Sequence, residues 1–473
     1  MWFVFRCSFL PFRPLRAVAA VAAAVLAAGP AAGCADRGAD RSDGRITVWS
    51  LENLPPRMEA ARRIADDFEE ESGIEVELVG VAEAQLPQMV MSAAAAGRLP
   101  DVIGAVPLAQ VWQMHGNGLL DTRTAGGIVE ELGPETFDRN ALALASDGPV
   151  RLAVPSDAWL QVLAYRKDLF RRAGLPAPTT YDALLTAART LDRGRTEGIA
   201  AATDPGDVFT QQSFEDLALA NGCRLVDDWG AVALDSGPCR TAFGLYGELT
   251  AEHGPPGTQT VDTTRATYFS GRSAMLLWSS MVLDELAGLR ADALPACPQC
   301  AGDPGFLARN TGIVTALRGP DGRAPAQYGE VTSWAVTRTA ETSAARDFVR
   351  HMTGPGYEAW FGTAAEGKIP VRSGTRDDPD RYTRAWRSTP IGTDTRRPFD
   401  EVYPDALLDE LLAGVGAMRR WGIAEGQGAL VGATMGELPV PGVIGAVADG
   451  RITAAQAARE AAEEVEALRT SLE

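Results

Sequence analysis

Apolar and polar residues follow two different periods along the chain, and these periods alternate regularly. Residues 46–50, 74–79 and 101–104 carry the short apolar or alternating runs that are typical of strands. Between them, residues 55–72 and 86–96 place apolar side chains every three to four positions, which predicts amphipathic helices. Strand, helix, strand, helix and strand in this order predict a parallel sheet with crossover helices.

A second series of predicted elements begins near Val154 and continues to the end of the chain. Further strands are predicted at residues 162–165, 275–278 and 328–336. Further helices are predicted at residues 168–173, 181–191, 214–220, 240–252, 263–270, 343–352 and 454–468. This organisation is that of an α/β protein with two or three domains.

The first 34 residues have the pattern of an export signal. Three arginines precede an apolar run over residues 17–28, and small residues lead from there to Cys34. The run is shorter than the roughly 20 residues needed to cross a bilayer. A cysteine after small residues is similar to a bacterial lipobox, so we predict a signal peptide over residues 1–33, lipidation of Cys34 and a tether over residues 34–43. An ordinary secretory signal with a coincidental cysteine is the alternative.

The charge of the chain limits its possible partners. Its 473 residues include 62 acidic and 44 basic ones, which gives a formal net charge of −18. A strongly acidic protein outside the cytoplasm is a poor partner for nucleic acid or anionic lipid. Like charges on its surface also oppose self-association, so we expect a monomer that does not bind nucleic acid.

Four cysteines, Cys223, Cys239, Cys297 and Cys300, remain once the leader and Cys34 are set aside. An even number in an exported chain favours disulfides, and we predict the local pairs Cys223–Cys239 and Cys297–Cys300. The alternatives are a zinc site, which would need a second closely spaced pair, and a redox CxxC motif, which should open a helix after a strand.

Motifs for catalysis are weak throughout the sequence. Residues 362–368 fit GxxxxGK, but Ile369 stands where a P-loop needs serine or threonine. The three histidines are scattered, and neither GxSxG nor HExxH occurs. Carboxylates are abundant, so composition alone is compatible with a two-carboxylate glycosidase. We expect a protein that is not an enzyme and has no catalytic residue, no metal and no cofactor.

Several short segments, in their order and spacing, resemble family 1 extracellular solute-binding proteins of ABC importers, the maltose-binding-protein type. These segments are residues 48–50, 97–103, 118–120, 165–170, 173–175, 269–275, 344–352 and 356–357. The resemblance covers residues 34–473. Together with the paired cysteines, residues 329–334 are similar to an actinobacterial-type subgroup of lipoproteins.

The resemblance implies a periplasmic-binding-protein-like α/β fold, with two α/β lobes, a ligand cleft between them and interlobe crossovers. The N-terminal lobe would comprise residues 44–153 with 330–390, and the C-terminal lobe residues 156–329 with 391–473. The implied function is capture of a carbohydrate by hinge closure and its delivery to ABC permease subunits, from a lipid anchor on the extracellular face of the cell membrane. The alternatives are a secreted glycan-active enzyme and a receptor that presents its ligand to a membrane sensor.

Sugar binding calls for aromatic faces and for groups that hydrogen-bond hydroxyls. Candidates in loops that the family places at the cleft are Glu52, Asn53, Asp157, Trp159, Phe209, Gln211, Gln212, Trp278, Ser279, Ser333, Trp334, Lys368 and Arg372. Some have simpler interpretations. Gln211 and Gln212 could cap a helix that begins near Ser213, and Arg372 could be a surface charge. Trp49, Trp360 and Trp421 are expected in the core.

Overall fold

The structure, a computed structural model, describes residues 44–472. The strands are β1 (Arg45–Ser50), β2 (Glu75–Gly80), β3 (Val102–Pro107), β4 (Ser146–Asp147), β5 (Val150–Arg151), β6 (Val154–Arg166), β7 (Met275–Ser279), β8 (Thr311–Val314), β9 (Gly329–Val336), β10 (Ile369–Pro370), β11 (Pro390–Ile391) and β12 (Arg397–Pro398). The predicted signal peptide, the lipidation site Cys34 and the tether lie outside the described residues.

The helices are α1 (Pro55–Ser72), α2 (Leu86–Ala95), α3 (Leu108–Gly116), α4 (Thr122–Leu132), α5 (Arg139–Leu144), α6 (Lys167–Ala173), α7 (Tyr181–Leu191), α8 (Val208–Ala220), α9 (Gly237–Glu252), α10 (Val261–Phe269), α11 (Val282–Leu286), α12 (Phe306–Asn310), α13 (Thr342–Met352), α14 (Tyr357–Phe361), α15 (Arg381–Ser388), α16 (Phe399–Val402), α17 (Asp405–Ala417), α18 (Gly428–Glu437), α19 (Pro439–Ala448) and α20 (Ala454–Leu472). No single helix among them is long and apolar enough to cross a membrane, and α18 with α19 would reach that length only across a 46° bend.

Eight strands form the central sheet. Strands β10, β6, β9, β3, β1 and β2 follow one another, and β7 and β8 also pair with β6. Strand β1 is parallel to both β2 and β3, which confirms the predicted alternation at the start of the domain. Helix α1 has the predicted bounds because Pro55 fits its first turn and Gly73, at φ 72°, ends it in the left-handed conformation.

Strand β6 pairs with two different groups of strands along its 13 residues. Its first half pairs with β9 and, at Asp157 and Ala158, with β10. Its second half, from Gln161 to Arg166, pairs with β7 and β8. We call the part built on β1, β2 and β3 the N-terminal lobe and the part built on β7 and β8 the C-terminal lobe. The fold is therefore α/β with two lobes, as predicted, while the exact lobe boundaries stay a prediction.

Both predicted disulfides are present. Cys223 bonds to Cys239, and Cys297 bonds to Cys300. The first pair joins positions 16 apart, with Cys223 after α8 and Cys239 in the first turn of α9. A loop of that size stabilises a fold by about 3 kcal/mol in the chain-entropy account. The local pairing is thereby confirmed, and both bonded pairs leave no free thiolates for zinc. Cys297 precedes a short 3-10 turn rather than opening an α-helix after a strand, which is unlike a redox CxxC motif.

Candidate functional site

Three glutamates lie where the parallel strands β1, β2 and β3 end. Glu52 closely follows β1, and Glu83 closely follows β2. The backbone N–H of Leu108, the first residue after β3, donates to Glu330 Oε1 at 2.8 Å. The carboxyl ends of parallel strands meet at one edge of a sheet, which is where α/β proteins bind their ligands. We call Glu52, Glu83 and Glu330 the strand-end carboxylates.

Lys368 connects Glu52 to the crossing strand β6. Lys368 Nζ lies 2.6 Å from Glu52 Oε1 and 3.4 Å from Asp157 Oδ1. On the other side, Arg57 Nη1 donates to Glu52 Oε2 at 2.8 Å. Burial alone would raise the pKa of Glu52, but the charges of Lys368 and Arg57 outweigh it and lower this pKa to about 2. Glu52 is therefore ionised throughout the physiological range.

Asp157 is the centre of a buried hydrogen-bond network. Its Oδ1 accepts from the Thr332 hydroxyl at 2.8 Å, and its Oδ2 accepts from Trp360 Nε1 at 2.8 Å. Lys368 Nζ lies 4.3 Å from the centre of the Trp360 ring. Asp157 and Lys368 are each only 1% exposed, so they lie beneath the surface of the site and hold Glu52 in place.

A second buried ion pair holds Glu330. Arg420 Nη1 donates to Glu330 Oε2 at 2.7 Å, and its guanidinium lies 4.7 Å from the centre of the Tyr328 ring. Arg420 Nε lies 3.7 Å from Glu215 Oε1. These contacts join the segment after α17 to the crossing strand β9 and to α8.

One aromatic ring lies beside a strand-end carboxylate, and a second aromatic pair lies in the C-terminal lobe. Trp159 stands opposite Glu330 in the β6–β9 register, which puts both side chains on the same face, and its ring lies 5.8 Å from that of Tyr328. In the C-terminal lobe, the rings of Phe209 and Trp278 are 5.6 Å apart. A flat apolar face next to a charged acceptor, as at Trp159 and Glu330, is what a sugar ring requires.

The position of α8 corrects one prediction. The helix begins at Val208 rather than near Ser213, so Phe209, Gln211 and Gln212 lie within it and the two glutamines do not cap it. The cause is Asp207, whose Oδ1 accepts the backbone N–H of Phe209 at 2.9 Å. Both glutamines are buried.

The remaining candidates divide into two groups. Asn53 is exposed beside Glu52, and Ser279 is the last residue of β7. Ser333, Trp334 and Arg372 are instead at most 2% exposed. The Trp334 ring packs 4.8 Å from that of Trp360, which places it in the core of the N-terminal lobe.

Arg372 is a core residue rather than the surface charge that its sequence context allowed. Its guanidinium donates to Thr136 Oγ1 at 3.2 Å and to the carbonyl of Thr353. It also lies about midway between two aromatic rings, at 5.1 Å from Phe137 and 5.2 Å from Tyr382. These contacts account for its charge without a ligand.

Sequence reasoning missed Glu83, although a signal was available. Glu83 follows β2 as Glu52 follows β1, and this equivalence marks it as a strand-end residue. Surrounding protein atoms desolvate its carboxylate, and Glu330, Glu52 and Asp207 repel its charge, so that the pKa of Glu83 rises to about 7. The Glu83 side chain is nevertheless exposed to solvent.

One group of side chains elsewhere could share a metal ion. Glu248, Glu252 and His253 lie at the end of α9, with ligand atoms within 4.8 Å of one another. His253 Nδ1 is already 3.0 Å from Asp192 Oδ2, which explains its place without a metal. Exposed acidic groups of this kind are common in proteins.

A sequence profile described as bacterial extracellular solute-binding protein matches residues 52–359, more than half of the chain. The match includes all three strand-end carboxylates and Asp157. The chain belongs to the bacterial extracellular solute-binding proteins. Members of this family are binding proteins rather than enzymes, in agreement with the prediction.

The putative ABC transporter periplasmic-binding protein YcjN of Escherichia coli K12 is 31% identical over 294 residues. That alignment covers 60% of this chain and 63% of the relative's length. The match is therefore to part of each protein.

Solved structures share the fold over nearly the whole chain at low identity. Maltose-bound MalE3 of T. maritima has a TM-score of 0.68 at 18% identity, and covers 90% of this chain and 99% of its own. The GacH receptor of Streptomyces glaucescens, solved unliganded and with acarbose, has a TM-score of 0.68 at 17% identity. That alignment covers 90% of this chain and 98% of the receptor. A sugar transporter of Arthrobacter chlorophenolicus with bound laminaribiose has a TM-score of 0.68 at 18% identity. That alignment covers 89% of this chain and 99% of the transporter.

Proposed function

We propose that this solute-binding protein is the lipid-anchored extracellular component of an ABC importer, and that it captures a carbohydrate and delivers it to the permease. The observation that carries the proposal is the strand-end arrangement, in which Glu330 stands opposite Trp159, together with the Phe209–Trp278 ring pair of the C-terminal lobe. Proteins with the same fold are described with maltose, acarbose or laminaribiose bound.

Hinge closure is the proposed capture step. The candidate side chains come from both lobes, and β6 pairs with strands of each. A ligand that contacts both lobes favours the closed arrangement, because only a ligand with different affinities for two states can shift their populations. The closed form would then be the one that the permease recognises.

The proposal predicts a thermal shift with sugars that depends on Trp159. We expect at least one of maltose, laminaribiose and acarbose to raise the melting temperature, since a ligand at 100 times its dissociation constant stabilises a fold by about 2.7 kcal/mol. Replacing Trp159 with alanine removes one aromatic face and should weaken that sugar at least about tenfold in calorimetry.

Trp229→Ala is the matched control, since Trp229 is 88% exposed and should leave affinity unchanged. If no sugar of a broad mono- and oligosaccharide panel shifts the melting temperature, the proposed function is wrong. If Trp159→Ala binds as the parent does, the site is elsewhere.

Lipid anchoring is tested separately. We expect the protein to fractionate with membranes and a Cys34→Ala variant to appear in the medium, because the cysteine would carry the acyl chains that retain the protein. A Cys7→Ala variant, altered within the predicted leader, should fractionate as the parent does. Membrane association of Cys34→Ala would refute the anchor but not the binding function.

A further inference from the structure

A histidine nitrogen at the end of α9 is buried without a partner. His253 directly follows α9, and its Nδ1 lies 3.0 Å from Oδ2 of Asp192, which directly follows α7. The other ring nitrogen, Nε2, is buried and has no hydrogen-bond partner within the described part of the chain. Asp192 thus accounts for the position of the ring but leaves Nε2 unexplained. A buried polar atom in this state costs free energy unless something binds it.

Asp192 also determines which ring nitrogen can act as a ligand. An ionised carboxylate accepts hydrogen bonds and donates none, so the proton of the neutral ring lies on Nδ1. Nε2 then carries a lone pair, which is the form in which histidine binds a metal ion. A carboxylate behind a metal-binding histidine is a recurrent arrangement, because it fixes both the tautomer and the orientation of the ring. The His253 ring is therefore held as a metal ligand is held.

Two glutamates lie close to this nitrogen. The ligand atoms of Glu248, Glu252 and His253 are all within 4.8 Å of one another, and Glu248 Oε1 is 4.0 Å from His253 Nε2. Zinc bonds nitrogen and carboxylate oxygen at about 2.0–2.2 Å, so two ligand atoms of one ion are at most about 4.2 Å apart. Glu248 already meets this limit. The Glu252 side chain is exposed and forms no ion pair or hydrogen bond among the described residues, so it is free to rotate towards the ion.

One cation already contacts this group. Arg189 Nε donates to Glu248 Oε1 at 2.9 Å, and the Arg189 side chain is 57% exposed. Exposed ion pairs are weak because water screens both charges, so a metal ion can displace this one. Asp192, Glu248 and Glu252 carry three negative charges beside this single arginine. A divalent cation would balance the remainder.

We propose that Glu248, Glu252 and His253 bind a divalent transition-metal ion of the zinc type, with Asp192 positioning the histidine. One imidazole nitrogen and two carboxylate oxygens suit such an ion, whereas magnesium and calcium prefer oxygen ligands alone. The ion would join the ends of α7 and α9. None of these residues belongs to the strand-end carboxylates or their ion pairs, so the inference does not depend on carbohydrate binding.

Zinc chloride alone is the probe for this site. The mature protein is treated with EDTA, transferred to a buffer that does not bind metals, and titrated with zinc by calorimetry at pH 7.5. We expect one site with a dissociation constant below about 50 µM, and at least about tenfold weaker binding of magnesium. Weaker zinc binding, no zinc binding, or magnesium binding of similar strength would overturn the proposal.

Two variants show whether these residues hold the ion. His253→Gln removes the ligand nitrogen, and Glu252→Gln removes a carboxylate that makes no other contact, so the second variant should keep the fold. Each should weaken zinc binding at least tenfold. His115→Gln is the matched control, because His115 Nε2 lies 3.4 Å from Asp147 Oδ2 but belongs to no group of three ligands in the described range. It should bind zinc as the parent does. Unchanged affinity in Glu252→Gln would overturn the assignment.

NMR gives a readout that altered folding would not imitate. The chain has only three histidines, so their ring signals can be assigned one by one. Zinc should shift the signals of His253 and leave those of His115 and His351 in place. His351 is an internal control, because its Nδ1 also faces a carboxylate, at 3.5 Å from Glu71 Oε2, without further ligands in the described range. Shifts at His115 or His351 instead of His253 would place the ion elsewhere and overturn the proposal.

Discussion

Replacing Lys368 with methionine should lower the free energy of unfolding by about 3–5 kcal/mol, because it leaves two buried carboxylates without their common cation. The Lys368 side chain is 2% exposed, and its partners Asp157 and Glu52 are 1% and 13% exposed. Methionine fills most of the space of the lysine stem but supplies no charge. Urea denaturation at pH 7 measures the difference.

The other lysine of the chain provides the control. Lys167, at the start of α6, is only partly buried and makes no ion pair among the described residues, so Lys167→Met should change stability by less than about 1 kcal/mol. A further Asp157→Asn substitution should restore part of the loss, since it removes one of the stranded charges. Equal stability of the two methionine variants would contradict this account of the network.

Replacing Asp216 with asparagine should have the opposite effect and stabilise the protein at pH 8. Burial, and then the charge of Glu215, raises the pKa of Asp216 from 3.8 to about 7, although its hydrogen bond from the Tyr328 N–H opposes this rise. The folded protein therefore disfavours the ionised form that exists at pH 8. Asparagine keeps an acceptor for that N–H, which lies 2.8 Å away, and removes the charge.

The pH dependence of this effect has a defined sign. A carboxyl whose pKa is higher in the folded state destabilises the fold once the pH exceeds its unfolded pKa, and the full penalty is reached above the folded pKa. Asp216→Asn should therefore gain about 2–4 kcal/mol at pH 8, less at pH 6 and almost nothing at pH 4, measured by urea denaturation.

Asp235→Asn is a control of the opposite kind. The hydrogen bond from Arg240 lowers the pKa of Asp235, so loss of its charge should slightly destabilise the protein at pH 8. A stability gain from Asp216→Asn that is the same at pH 4 and pH 8 would show that packing, not charge, is the cause.

Local signals predicted much of the fold. Helix α7 begins after Thr180, whose hydroxyl accepts the N–H of Ala183 at 3.2 Å, and this cap is readable in the sequence. The cysteine pairs were predictable because each is close in sequence. Helix α8 was predicted too short because Asp207 was not recognised as its cap.

The site was harder to predict because its contacts are remote in sequence. Glu330 lies 222 positions from Leu108, whose N–H it accepts, and Arg420 follows another 90 positions later. Neither the periodicity nor the composition of the sequence reveals contacts between residues so far apart. Trp334 and Arg372 resemble ligand-binding residues by type, and only the packing of Trp360, Phe137 and Tyr382 around them shows that they belong to the core.

The pairing of β6 with strands from distant parts of the chain affects when the sheet can form during synthesis. Lys368, beside its partner strand β10, is synthesised 211 residues after Asp157. Pairings at such distances form slowly, because a long loop must close before any contact rewards it. We therefore expect the sheet to close only when most of the chain has been made, so that a chain destined for export is still unfolded, and able to thread through a translocation channel, when it reaches one.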